Sequence, residues 1–298
     1  MTKRACIVIP TYNEARNIGE LLPRILKEAE NIPTHELHII VVDDNSPDGT
    51  GTVVSEFARR DPRIHLSSGE KVGLGDAYKR GIAYAMAILK PELIIQMDAD
   101  HQHDPTLLPL FVNLAQYGFT LVIGSRFAPG AGNHGLSFRR RLISRLGTML
   151  VRLAAGLPPL YDCTSGYRCI NAQSLAQCNF RTLATQGYSF QSSLLSELVW
   201  NGARLVEIPI IFSPRAHGSS KLRVRDQIEF LANLGRLWLR RMQSPEPSEP
   251  GARSPSAAGE GLDVSISGYP RIGELQGREV RREARVPAVS KRGPNAAA

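Results

Sequence analysis

Through the first 124 residues, short apolar runs alternate with stretches whose apolar positions recur every three or four residues. ACIVI (5–9), LHIIVV (37–42), RIHL (63–66), LIIQM (93–97) and LVIG (121–124) have the length and β-branched content of buried strands. Between them, NIGELLPRILKEAE (17–30) places Ile18, Leu21, Leu22, Ile25 and Leu26 on one helical face, with Pro23 expected near the first turn, where it is tolerated. TVVSEFARR (52–60), GDAYKRGIAYAMAIL (75–89) and LLPLFVNLAQY (107–117) are the other helices predicted here. Apolar strands alternating with helices imply βαβ units, so the expected fold is α/β with a mostly parallel central sheet covered on both faces.

Ligands of such sheets bind beyond the carboxyl ends of the strands. The five strands are followed in turn by PTYNE (10–14), DDNSPDGTGT (43–52), SSGEKVGLGDA (67–77), DADHQHDP (98–105) and SRFAPGAG (125–132). One polar, glycine-rich loop would mean little. Five of them on one edge describe a site.

From residue 133 the pattern changes. FRRRLISRLGTMLVRLAAGL (138–157) puts Leu142, Leu146, Met149, Leu150 and Leu153 on one helical face and clusters Arg141, Arg145 and Arg152 beside it. An ordinary surface helix and a helix lying in a membrane interface both fit that mixture. DCTSGYRCI (162–170) reads as a return strand, FQSSLLSELVWNG (190–202) as an amphipathic helix and RLVEIPIIF (204–212) as a strand. DQIEFLANLGRLWLRR (226–241) is a last helix with a basic end. Residues 1–243 are expected to fold as one unit, and 244–298, rich in Pro, Gly, Ser and charge without periodicity, as a disordered tail.

With 298 residues, 42% of them hydrophobic, the chain can bury a large core. Its four cysteines, Cys6, Cys163, Cys169 and Cys178, form no C-x-x-C pair, which argues against a disulfide framework or structural zinc and favours a reducing compartment. The apolar run in MTKRACIVIP is too short for a signal peptide, and nothing reaches the roughly 18 apolar residues of a membrane span, so a cytoplasmic location is expected. Charge is uneven. Lys/Arg against Asp/Glu runs 12 to 16 over residues 1–119, 16 to 5 over 120–243 and 8 to 7 over 244–298, giving −4, +11 and +1. A basic block downstream of acidic motifs suits a phosphate-bearing partner, with a solvated basic face as the plain alternative.

Among the motifs, DAD (98–100) sets two carboxylates at i and i+2 where a strand ends, a spacing that lets both approach one hard cation beside a diphosphate. Neither this run nor DNSPDGTGTVVSE (44–56) completes a calcium-binding loop; the second has Ser55 at its twelfth position. His101 and His103 with Asp98 are weak evidence for zinc, and solvated histidines are the better expectation. Asp43 and Asp44 end a strand where acids accept hydrogen bonds from a ribose or base, although Ser46, Pro47, Asp48 and Gly49 make a turn there in any case. GEKVGLGDA lacks the G-x-x-x-x-G-K-[ST] pattern, which argues against an ordinary ATPase.

PTYNE, VVDDNSPDGT, GLGDAYKRG, MDADHQHDP, GSRF, DCTSGYR and RAHGSSKL, in this order and spacing, resemble the family 2 glycosyltransferases, and within them the polyprenyl-phosphate (dolichyl-phosphate) mannosyltransferases, over about residues 4–241. The resemblance implies a nucleotide-diphospho-sugar transferase (GT-A, Rossmann-like) fold and transfer of mannose from GDP-mannose to a lipid phosphate with inversion. By position it implies donor contacts at Pro10, Tyr12, Glu14, Val42, Asp44, Asp98, Ala99, Asp100, Arg126, Arg215 and Lys221. It further implies Mg²⁺ or Mn²⁺ at Asp98, Asp100 and Gln102, and an acceptor phosphate at Arg126, Arg140, Ser144 and Arg215. Asp100, Arg126 and Arg215 carry the catalytic expectation, with Arg215 and Lys221 in a loop that closes over both substrates. Cys163, Ser165 and Arg168 would shape the core beneath the site.

Two departures bear on the expectation. PGAGNHGLSF stands where members often carry Gly-Gly and Trp, which loosens the sugar preference. Many relatives continue into membrane-spanning helices, whereas this chain would depend on surface attachment at the cytoplasmic face, through helices 138–157 and 226–241, or on a membrane anchor protein. UDP-glucose is the rival donor. A nucleic-acid binder, suggested by a pI near 9.5, fits poorly: the basic residues are not interleaved with aromatics, and the acidic cluster repels phosphate. No nucleic-acid partner is expected.

Overall fold

A computed structural model describes residues 3–132, 137–180, 183, 187, 189–214 and 224–243. Seven strands form one sheet: β1 (Lys3–Thr11), β2 (His35–Asp43), β3 (Ile64–Ser68), β4 (Leu93–Gln96), β5 (Leu121–Ser125), β6 (Arg168–Asn171) and β7 (Leu205–Pro209), in the order β3-β2-β1-β4-β6-β5-β7. All neighbours run parallel except β6, which is antiparallel to both β4 and β5. The α/β, mostly parallel reading of the sequence is therefore the observed architecture.

Helices α1 (Ala15–Ala29), α2 (Thr50–Arg60) and α4 (Leu108–Gln116) pack against one face of the sheet, and α3 (Leu74–Tyr84) and α7 (Ser189–Trp200) against the other. The two faces hold separate apolar clusters, one around Ile7, Ile9, Ile39 and Ile95, the other around Val8, Val42, Ile94 and Ile170. Alternate residues of each strand feed opposite clusters, as the two-residue repeat of a strand dictates. A short helix α6 (Ala172–Ala176) follows β6, and α5 (Phe138–Ala155) pairs with α8 (Val224–Gln243).

Local chemistry moves several boundaries. Helix α1 begins at Ala15, so Pro23 falls in its third turn rather than its first. A proline there costs about 3 kcal/mol. Four fully buried side chains, Ile18, Leu21, Leu22 and Ile25, each stabilise by about 1.5–3 kcal/mol and hold the helix together. The helix predicted over 75–89 ends its α-helical part at Tyr84 and finishes in one wider π turn, Ala85–Leu89. The return strand starts only at Arg168, because 162–167 spends its polar groups on side-chain bonds: Arg126 donates to Asp162, and the Ser165 hydroxyl donates to the Gly124 carbonyl at 2.6 Å. Helix α7 is not amphipathic; Ser189 to Leu198 are all buried, enclosed between α3 and α8.

Helix α5 buries Gly147, Thr148, Val151 and Ala155, and turns its leucine stripe outward. Leu142, Leu146, Met149 and Leu153 are 48–64% exposed, and α8 adds exposed Ile228, Leu231, Trp238, Leu239 and Met242. No helix among the described residues is long and apolar enough to cross a membrane. The segments 215–223 and 244–298, which contain Arg215, Lys221 and the expected tail, lie outside the described residues.

Helix α3 reaches the sheet through Gly81, where an added Cβ would collide with the Val8 side chain and come within 2.7 Å of Val42 Cγ2. Both valines are fully buried and have nowhere to retreat. Gly81→Ala is therefore expected to cost about 1–3 kcal/mol, read as a lower urea midpoint at unchanged slope; an unchanged midpoint would mean that α3 stands off the sheet.

Candidate active site

The polar loops meet at the carboxyl ends of β1, β2 and β4. PTYNE and DDNSPDGT are joined by backbone donors meeting side-chain acceptors: Asn13 N donates to Ser46 Oγ, Glu14 N to Thr50 Oγ1 and Ala15 N to Asp48 Oδ2, each at 3.0 Å. Asp48 also accepts from the Thr50 amide and hydroxyl, so this carboxylate binds the first two loops into one unit; desolvation pushes it up, but those bonds win and hold it below its usual range. Asn13 and Asn45 take positive φ at the two bends, a conformation Asn tolerates better than most residues.

Asp43 and Asp44 divide. Asp43 accepts from Thr11 Oγ1 and from the amide and hydroxyl of Ser46, which makes it the organiser of the turn. Asp44 receives Arg80 at 2.7 Å, while burial pushes its carboxyl upward against that pairing. Lys71 lies 3.1 Å from the centre of the Tyr12 ring, bringing the glycine-rich third loop over PTYNE. Pro10 and Glu14 are half-buried at this edge. The Val42 side chain is enclosed beneath α3, so only its backbone faces this edge.

The D-x-D turn is held from three sides. Tyr78 donates its hydroxyl to Asp98 Oδ1 at 3.0 Å; burial, and then the nearby Asp98 charge, keep that phenol protonated. The Asp98 amide donates to His103 Nδ1 at 3.0 Å, and the His103 ring stacks on Tyr167 at 4.8 Å. His101, at φ 63°, touches the Asn17 carbonyl and Arg24, tying the turn to α1. The histidines are thus not solvated: His103 is 3% exposed and braces the turn. Ala99 and Asp100 are buried, Asp100 accepts from the Gln102 amide at 3.2 Å, and the Gln102 side-chain nitrogen donates to the Ser213 carbonyl at 2.9 Å. The Asp98 side chain remains 40% exposed. Among the described residues no three His, Cys, Asp or Glu cluster as metal ligands. Two carboxylates with an amide make an oxygen donor set, of the kind that hard cations such as Mg²⁺ and Mn²⁺ take and zinc does not prefer.

Arg126 makes a bidentate pair with the buried Asp162, at 2.7 and 2.8 Å, and donates to Thr164 Oγ1 at 2.6 Å. Burial opposes both charges, but their attraction wins, holding Asp162 low and Arg126 high. The Asp98 charge also reaches Arg126. The centre of the Phe127 ring is 5.3 Å from the Arg126 guanidinium carbon and 5.4 Å from that of Arg145, which links α5 to the site. Thr148 of α5 adds a second link by accepting from the Cys163 amide. Arg140 is exposed and Ser144 half-buried in the first two turns of α5.

The sequence motifs thus include the loops that converge, but Tyr78, Arg80 and Asp162 escaped a functional reading, and His103 was weighed only as a weak zinc ligand. Tyr78 and Arg80 sit inside GDAYKRG, where helical periodicity masks them. Asp162 could be found only once β5 and the 162–167 segment are side by side.

Compared with known proteins, residues 6–177 match the model of Glycosyl transferase family 2. The chain is 34% identical over 223 residues to a polyprenol monophosphomannose synthase of Mycolicibacterium smegmatis, covering 74% of this chain and 82% of that one. It is 37% identical over 220 residues to an undecaprenyl-phosphate mannosyltransferase of Micrococcus luteus, covering 74% and 87%. Among solved structures, its fold is similar to that of glucosyl-3-phosphoglycerate synthase from Mycobacterium tuberculosis in complex with Mn²⁺, UDP and phosphoglyceric acid, with a TM-score of 0.56 and 19% identity over 82% of this chain and 80% of that one. The D-x-D turn at the end of β4, the stitched first loops and these matches lead to one conclusion: the chain is a glycosyltransferase belonging to glycosyl transferase family 2.

Proposed function

We propose that the protein transfers mannose from GDP-mannose to a polyprenyl phosphate, with inversion, at the cytoplasmic surface of a membrane. The observation that carries this reading is the D-x-D turn whose Asp98 charge reaches the half-buried Arg126, next to a helix pair whose apolar side chains face outward. The relatives named for polyprenyl-phosphate mannosyl transfer support the sugar and the acceptor class.

Donor and acceptor are both anions, and the site's own carboxylates add to the repulsion. Asp98 and Asp100, with the Gln102 amide oxygen, would hold Mg²⁺ or Mn²⁺, and that cation would neutralise the diphosphate and stabilise the departing nucleoside diphosphate. Pro10, Tyr12, Glu14, the Val42 backbone and Asp44 would receive the donor nucleotide, with Ala99 also contributing. An acceptor phosphate oxygen is ionised at neutral pH, so it attacks without a general base. Arg126, oriented by Asp162, with Arg140 and Ser144, would place that phosphate; Arg215 and Lys221 complete the proposed set from the 215–223 loop.

The outward leucines of α5, flanked by exposed Arg139, Arg140, Arg141 and Arg145, form the apolar and cationic mixture that an anionic membrane surface attracts. Docked there, α5 would bring the lipid phosphate toward Arg126. A membrane anchor protein is compatible with the same face.

Purified protein is expected to move label from GDP-mannose into vesicle-borne polyprenyl phosphate in the presence of Mn²⁺; label arriving only from UDP-glucose would overturn the donor. Replacing Leu146 and Leu153 with Glu is expected to reduce co-sedimentation with anionic vesicles roughly tenfold or more at unchanged thermal stability. Undiminished vesicle binding would remove α5 from the membrane contact.

A further inference from the structure

Gln191 lies in the first turn of α7, is 3% exposed, and has no hydrogen-bond partner for either its amide oxygen or its amide nitrogen among the described residues. A buried amide with neither end satisfied is unusual and calls for a cause. Its backbone is not loose. Arg168, wholly enclosed and without an ion-pair partner among the described residues, donates from Nη1 to the Gln191 carbonyl at 2.6 Å and from Nη2 to the Cys163 carbonyl at 3.1 Å. The first turn of α7 is therefore fastened to the 162–168 segment that also carries Asp162.

What the side chain faces is read from Gly166. A Cβ placed there would stand 3.6 Å from Gln191 Nε2 and 3.7 and 3.8 Å from the two oxygens of Asp98. Gly166 thus neighbours both the Gln191 amide and the D-x-D carboxylate, and a side chain at 166 would stand in contact with both. A group seated at Gly166 would meet the Gln191 amide, a hydrogen-bond donor and acceptor, and the proposed cation site together. The part of a nucleotide sugar next to its diphosphate is the sugar ring, whose hydroxyls both donate and accept.

We infer that Gln191 is a specificity-determining residue whose side-chain amide hydrogen-bonds a hydroxyl of the donor sugar, beside Gly166 and Asp98. The inference rests on the glycosyl-transfer reading but not on which nucleotide or sugar is used. It also explains the orphaned amide: the unliganded protein carries an unsatisfied group that the sugar satisfies, and a sugar lacking that hydroxyl leaves it unsatisfied again.

The test compares wild type with Gln191→Met, a variant of similar volume without the amide, using the nucleotide sugar that wild type accepts and its mono-deoxy analogues. Wild type is expected to lose roughly tenfold in kcat/KM on one analogue. The Met variant should lose a similar factor on the intact sugar and nothing further on that same analogue. Its affinity for the nucleoside diphosphate with Mn²⁺ should stay within about twofold of wild type, and its Tm should equal or exceed wild type, since an unpaired buried amide has been removed. Unchanged kcat/KM on the intact sugar, equal losses on every analogue in both proteins, or a lower Tm with weaker nucleoside diphosphate binding would each overturn the inference. Should the Met variant fail to fold, Gln191→Ala is scored by the same criteria. A wild type that transfers sugar from no nucleotide donor would instead defeat the glycosyl-transfer reading, and so is told apart from these results.

Discussion

Charge repulsion is the constraint around which this site is built. A sugar diphosphate and a lipid phosphate cannot approach each other, or a pair of aspartates, unless positive charge stands among them. Asp98 and Asp100 close the end of β4, and Arg126, which feels the Asp98 charge, is kept charged by its bidentate partner Asp162 despite desolvation. A buried ion pair of this kind is weak evidence for stability, but it fixes a guanidinium in one orientation. The chain supplies part of the needed cationic field from its own interior, and the D-x-D oxygens would recruit the rest.

Such a field is useful only if the groups do not move, and much of the polar bonding near the site serves that end. Asp48 and Ser46 lock the first two loops together, while Tyr78 and His103 hold the Asp98 carboxylate and backbone from different sides. Tyr167 links these braces: its ring stacks on His103 and its hydroxyl donates to the Asp104 carbonyl at 2.8 Å. Donors fixed before substrate arrives need no reorganisation during reaction.

The sheet, its loop edge and the D-x-D turn at the end of β4 were legible in the sequence because each follows from local pattern. Strands such as ACIVI are apolar on both faces, and the turn residues Asn, Asp, Ser and Gly mark where they end. Long-range pairing was not legible. Nothing in DCTSGYR says that Asp162 will meet Arg126 36 positions earlier, or that Arg168 will reach the Gln191 carbonyl. His101 and His103 looked like solvated loop residues because polarity in a loop does not reveal burial. Helix α7 was misread for the opposite reason: its serines look solvent-facing, yet Ser193 bonds Asn233 of α8 and Ser192 and Ser196 bond carbonyls of their own helix. The outward leucines of α5 were placed on one face by periodicity, but only the packing of Gly147 and Val151 inward shows which way that face points.

The most direct measurement of the central claim is the dependence of GDP binding on a divalent cation, by calorimetry with Mn²⁺ and again in EDTA, for wild type and Asp100→Ala. If the carboxylates at the end of β4 work through a cation, Mn²⁺ should tighten GDP binding by about tenfold or more in wild type and by little in the variant. Equal affinity in EDTA and Mn²⁺ for wild type would contradict the account.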